Sequence, residues 1–157
     1  MRSRARQRVS EDAALYSAQE LAEIESLYRS AHYPTREPVV PKPDGADILR
    51  ALVAKYPRSN RAGCAILRLA RLAHNASKEA LLREAMTQHA DAWYEDGVQV
   101  GAMARAQLAI YFAGIARFDE AESLAQELII VFPGAVDHSG ASLDDTLAAI
   151  QLLTPPR

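Results

Sequence analysis

Two ten-residue stretches of this chain carry one pattern. Ile48-Leu49-Arg50-Ala51-Leu52-Val53-Ala54-Lys55-Tyr56-Pro57 aligns with Leu124-Ala125-Gln126-Glu127-Leu128-Ile129-Ile130-Val131-Phe132-Pro133, 76 residues later, apolar on apolar, and each ends aromatic-Pro. The apolar spacing in each fits one face of a helix, and the Pro ends it. A helix with one apolar face has to be covered by another, so repeating it directs the chain toward stacked helices. Ala fills 30 of the 157 positions, Gly only 7, and aromatics are 6%. That bias favours close-packed helices over sheet.

The periodicity predicts seven helices. The first runs from about Ala18 to Ala31, opened by a capping box of Ser17 with Glu20 and striped by Leu21, Ile24, Tyr28 and Ala31. Pro34, Pro38, Pro41 and Pro43 then forbid regular structure and predict an extended, protease-sensitive connection. Asp44 is the expected cap of the second helix, which ends at Tyr56-Pro57. The third spans about Arg61 to His74, and the fourth is capped by Ser77 and continues through Trp93 to the Asp96-Gly97 break. The fifth runs from Val100 to Ile115, the sixth from Asp119 to Val131, and Ser142 with Asp145 opens the seventh, Leu143 to Leu153. No stretch alternates with period two, so no sheet is expected. The resulting organisation is a flexible segment 1–16 followed by a single helical domain 17–154. Its hairpins cover about 17–56, 59–93 and 99–132, and a cap helix covers about 142–153.

Several function classes are excluded by charge and motif content. A net charge of −2 gives no general field for nucleic acid or membrane surfaces. Cys64 is the only cysteine, so no internal disulfide or Cys-based zinc site is available, and its apolar neighbours predict a buried structural thiol. Arg2, Arg4, Arg6 and Arg8 are followed by Val9-Ser10-Glu11-Asp12 and not by an apolar run, which is not a secretory signal. No stretch has 18 consecutive apolar residues, so no membrane span is expected. The cytoplasm is the default location, with the periplasm or export if a leader precedes the chain. Phosphate loops, nucleophile elbows and His-Glu-x-x-His pairs are absent, and His32, His74, His89 and His138 are scattered. No catalytic residue, cofactor or metal is expected.

Leu108-Ala109, Phe112, Phe118-Asp119-Glu120-Ala121, Ala125, Leu128 and Pro133 together resemble a tetratricopeptide repeat. The likeness covers Ala102 to Pro133 best. Tyr56-Pro57-Arg58-Ser59 through Ala65, Leu69 and Ala70 resembles the same family, with Ala73 in place of an aromatic residue. The 76-residue separation is two 34-residue periods plus eight residues, five of which fall in the Tyr94–Gly101 loop. The aromatic-Pro, Asp-Gly and Asp-His-Ser-Gly segments resemble bacterial proteins of this type, a likeness that carries no activity. What the resemblance implies is an all-α, right-handed solenoid of three helical hairpins plus a capping helix, with a concave groove lined by the first helix of each hairpin.

That groove is the first candidate site. By the repeat match Cys64, Leu67, Arg68, Arg71 and His74 face it from the second hairpin, and Met103, Ala106, Gln107, Ile110 and Ala113 from the third. Arg68, Arg71 and His74 stand at helical spacing and suit an acidic peptide or a terminal carboxylate. The carboxylate clamp of the family uses Lys and Asn, which only Asn75 and the arginines approximate, so that clamp is not carried over. The expected function is a non-enzymatic interaction module or scaffold for a protein or peptide partner. The alternative is an enzyme or a small-ligand or metal-binding protein. It would use two loops expected at the same end of adjacent hairpins, with Asp96 and Gln99 on one and Asp137, His138 and Ser139 on the other. A purely structural reading of those residues as turn formers stands beside it, as does self-association through an uncapped end.

Overall fold

Side chains accept free N–H groups at the start of some helices here, and Pro or an extended residue follows the end of others. The computed structural model describes residues 2–32 and 44–153, and among these the chain is helical with no strands. Its elements are α1 (Arg2–Asp12), α2 (Ala18–Ser30), α3 (Gly45–Lys55), α4 (Asn60–Leu72), α5 (Asn75–Thr87), α6 (Val100–Gly114), α7 (Phe118–Val131), a 3-10 turn (Leu143–Asp145) and α8 (Thr146–Leu153). The Pro34–Pro43 connection lies outside the described residues.

Local chemistry accounts for several of these boundaries. The Ser17–Glu20 capping box opens α2 as expected, and the Ser59 side chain accepts the Ala62 N–H at the start of α4. Asp44 precedes α3 without capping it, because its backbone is already helical and its side chain makes no cap bond. Ser142 accepts the Asp144 N–H and so opens the 3-10 turn ahead of α8.

Two expected segments differ from the structure. Residues 2–12, read as part of a flexible segment, form α1, held against the start of α4 by Arg8 and Asp12. The fourth helix of the sequence reading begins at Asn75 instead of following Ser77, and ends at Thr87 instead of Trp93. The Ala90 carbonyl explains the early stop. It accepts the Gln99 side-chain amide at 3.0 Å and the Gly101 N–H at 3.3 Å, bonds available only once the chain has left the helix.

Each helix packs chiefly on its sequence neighbour, from α2 through α7, while α2, α4, α6 and α8 make a second series of contacts. One apolar cluster runs through the stack, with Leu49, Leu52, Leu82, Leu108, Phe112 and Leu128 fully buried. Alanines at 62, 65, 70, 109, 121 and 125, all buried, let helix axes approach closely. A Cβ on Gly63 would collide with the Ala92 Cβ, and one on Gly101 would stand 2.7 Å from the Ala90 carbonyl oxygen.

The two loops closing successive hairpins are copies of each other. In residues 92–100, Tyr94 N–H donates to Val98 C=O, Gly97 N–H to Tyr94 C=O and Val100 N–H to Ala92 C=O. In residues 135–143 the same three bonds recur 43 positions later: Asp137 to Ala141, Gly140 to Asp137 and Leu143 to Ala135. Gly97 and Gly140 hold φ of 96° and 86°, a left-handed conformation that glycine tolerates without strain. Ahead of the loops, the carbonyls of Tyr56, His89 and Phe132 each accept from the residue three positions on. His89 therefore occupies the place that an aromatic residue fills in the other two copies.

Candidate functional site

The groove residues expected from the sequence divide by depth. Cys64, Leu67 and Ala106 are buried in the core, and so is Met103, which is 7% exposed and therefore packs the stack instead of lining a groove. Burial pushes the Cys64 thiol up to about 12, which leaves it protonated and unreactive. Ile110 and Arg71 are exposed, and Arg68 and Gln107 are half-buried. His74 leaves the Arg68–Arg71 stripe altogether. Helix α4 stops at Leu72, and Ala73 and His74 are both extended, so His74 sits exposed ahead of α5.

Arg68 differs from the other well-covered arginines. Arg8 pairs with Asp12, Arg61 with Glu25 and Glu95, Arg105 with Glu127, and Arg117 with Glu79 and Glu120. Arg68 has no carboxylate within ion-pair distance among the described residues, and its buried Nε has no hydrogen-bond partner. Its polar neighbourhood is phenolic instead. The guanidinium lies 5.7 Å from the centre of the Tyr94 ring and acts on Tyr28 as well. Burial lifts the Tyr28 hydroxyl to about 12 and the Tyr94 hydroxyl well above its ordinary value, so both stay neutral.

Of the five loop residues read as a second candidate, the structure brings together two. His138 Nδ1 lies 2.7 Å from Asp96 Oδ2, a contact across the two copied loops, while Asp96 Oδ1 accepts the Val98 N–H. The remaining three serve their own turns. Gln99 donates to the Ala90 carbonyl, and Asp137 Oδ1 accepts the Ser139 N–H, the Ser139 hydroxyl and the Ala141 N–H. Those bonds, the Ser139 hydroxyl first, hold the Asp137 carboxyl below its usual range. The loop-forming account therefore covers Gln99, Asp137 and Ser139, and leaves Asp96 and His138 as a contacting pair.

Tyr94 is the residue that joins both candidates, and sequence reasoning passed over it. Its hydroxyl donates to the Cys64 carbonyl at 3.0 Å, pinning the loop onto α4. One side of the ring meets Arg68, and His138 stands edge-on to it at 4.7 Å between ring centres and 87° between planes. The signal was present as an aromatic pair, Trp93-Tyr94, inside an otherwise polar turn. Asn60 holds the same loop from below, accepting the Trp93 N–H at 2.7 Å and donating to the Trp93 carbonyl at 2.8 Å.

A cleft of about 540 Å³ opens elsewhere, between α1 and the end of α5, lined in part by Arg8, Arg58, Gln88, His89 and Asp91. Arg8 is committed there to Asp12 and the Arg58 carbonyl. Among the described residues no group of three or more His, Cys, Asp or Glu is placed to hold a metal ion, and no helix is long and apolar enough to cross a membrane. Comparison with family models, curated proteins and solved structures found no match.

Proposed function

We propose that this chain is a non-enzymatic interaction module of the tetratricopeptide type, whose Arg68–Arg71 face engages an acidic segment of a partner protein. The observation that carries this reading is the half-buried Arg68 guanidinium with no carboxylate of its own among the described residues. A covered cation without a counter-charge is unfavourable, so a ligand that supplies one gains a charge-assisted contact worth about 1.5–3 kcal/mol. Tyr94 and Tyr28 preorganise the guanidinium without neutralising it. The sequence-adjacent packing and the series α2, α4, α6, α8 support a repeat architecture.

A charge reversal at Arg68 would press a carboxylate against buried phenols, so the informative variant is Arg68→Gln/Arg71→Gln. Pull-down from lysate at low salt, with the captured proteins identified, should recover an acidic partner with the native chain and lose it with the variant. Recovery should also fall as salt screens the charges. Equal recovery by the two proteins would overturn the proposal.

A further inference from the structure

We infer that His138 is a third, proton-controlled cation of the same anion site, so that binding of an acidic segment strengthens as His138 takes up a proton. The inference rests on the groove reading given under Proposed function and extends it. Its basis is the chain of contacts Arg68–Tyr94–His138–Asp96. The Arg68 guanidinium and the His138 ring both approach the Tyr94 ring, at 5.7 and 4.7 Å, which keeps them within about 10 Å of each other. Carboxylates two residues apart on an extended peptide stand about 7 Å apart, a span that can serve both cations. His138, Asp96 and Arg71 are exposed, and Arg71 lies in the last turn of α4, one turn beyond Arg68.

Hydrogen-bond logic makes the proton decisive. An ionised carboxylate only accepts, so the nitrogen facing Asp96 Oδ2, Nδ1, carries the hydrogen. In the neutral ring the outer nitrogen, Nε2, is then a bare acceptor that repels a carboxylate. Protonation turns it into an N–H donor with positive charge, and Asp96 steadies the imidazolium from behind. The groups that bear on His138 are few. Loop 93–99 supplies Asp96, the neutral Tyr94 and Glu95, whose carboxylate pairs with Arg61; α4 supplies Arg68 and Arg71, both acting on Tyr94; and on its own loop Asp137 keeps its carboxylate turned to Ser139 and Ala141. With a neutral imidazole, two guanidiniums are set against the Asp96 carboxylate; with an imidazolium, three cations are. Histidine is the side chain whose charge changes between about pH 5 and 8.

The probe is a fluorescein-labelled hexaglutamate peptide, followed by fluorescence anisotropy at pH 8.0 and pH 6.0 in low salt, with circular dichroism recorded at both. Glutamate stays ionised across this range, so the change belongs to the protein. The native chain should bind about threefold or more tightly at pH 6.0, the gain of one exposed charge contact. His138→Gln should bind equally at the two values, and His138→Lys should bind at both as the native chain does at pH 6.0. Arg68→Gln/Arg71→Gln should bind weakly throughout. Arginine-dependent binding that ignores pH, or a pH response that survives in His138→Gln, overturns the role of His138 and leaves the groove standing. Absence of binding by the native chain, or equal binding by the arginine variant, overturns the groove and this inference together.

Discussion

Asp12 Oδ2 accepts the Asn60 N–H at 2.8 Å, so a carboxylate of α1 closes the N-terminus of a helix that begins 48 residues later. Its other oxygen takes the Arg8 guanidinium at 2.6 Å, and the two side chains are only 7% and 9% exposed. Asp12→Ala therefore leaves the Asn60 N–H without its acceptor and takes from Arg8 its short-range carboxylate, with the Arg58 carbonyl and the more distant Asp91 and Glu11 remaining. Breaking one side of a buried pair costs about 3–5 kcal/mol. Urea unfolding should show a loss of that size for Asp12→Ala, and a smaller one for Arg8→Met/Asp12→Leu, which removes both charges. A loss near zero for the single variant would mean that α1 is not docked.

Leu108 and Leu128 are both fully buried, on the two helices of the third hairpin. Leu108→Ala should destabilise by about 2–5 kcal/mol, because the surrounding backbone cannot close fully on the cavity. Chemical denaturation checks it. A change under about 0.5 kcal/mol, as surface positions give, would remove Leu108 from the core.

Gly101 and Gly114 lie in the same helix and should respond oppositely to alanine. A Cβ at 101 would meet the Ala90 backbone at 2.7 and 2.8 Å, which cannot yield as a flexible side chain does. Overpacking of this kind costs about 1–3 kcal/mol, more than the helical preference of alanine returns. At 114 nothing lies within 4 Å, so Gly114→Ala should stabilise by about 0.4–1 kcal/mol. The two melting temperatures, measured side by side, decide the matter.

Burial holds the His89 imidazole below its ordinary 6.5, with Arg8 adding to that and Glu84 and Asp91 opposing it. Burial does the same for His32. A base whose folded pKa is depressed stays neutral in the fold while the unfolded chain gains protons. The associated stability is intact above pH 6.5 and drains away as pH falls below it. Melting temperature should drop between pH 7.5 and 5.0. His89→Phe, which installs the ring type found at Tyr56 and Phe132, should reduce that drop. An unchanged slope in the variant would show that His89 is free to take up a proton in the fold.

The helices were legible in the sequence because their determinants are short-range. The Ser17–Glu20 box, the stops at Pro57 and Pro133, and the stripe through Leu124, Leu128 and Phe132 act over three or four residues, and the structure keeps them. The sequence also puts Asp96, Gln99, Asp137, His138 and Ser139 on two loops at the same end of adjacent hairpins; His138 meets Asp96 across them, while the other three bond within their own turns. What the sequence could not decide depends on contacts between residues 30 to 50 positions apart. Asn60 clasps Trp93, Tyr94 reaches the Cys64 carbonyl, Arg61 bridges Glu25 to Glu95, and Asp12 caps α4. Each follows from how one helical pair rotates on the next, which no local period encodes. The same rotation drew Met103 into the core, left Arg68 covered among phenols, and ended α4 before His74 could join it.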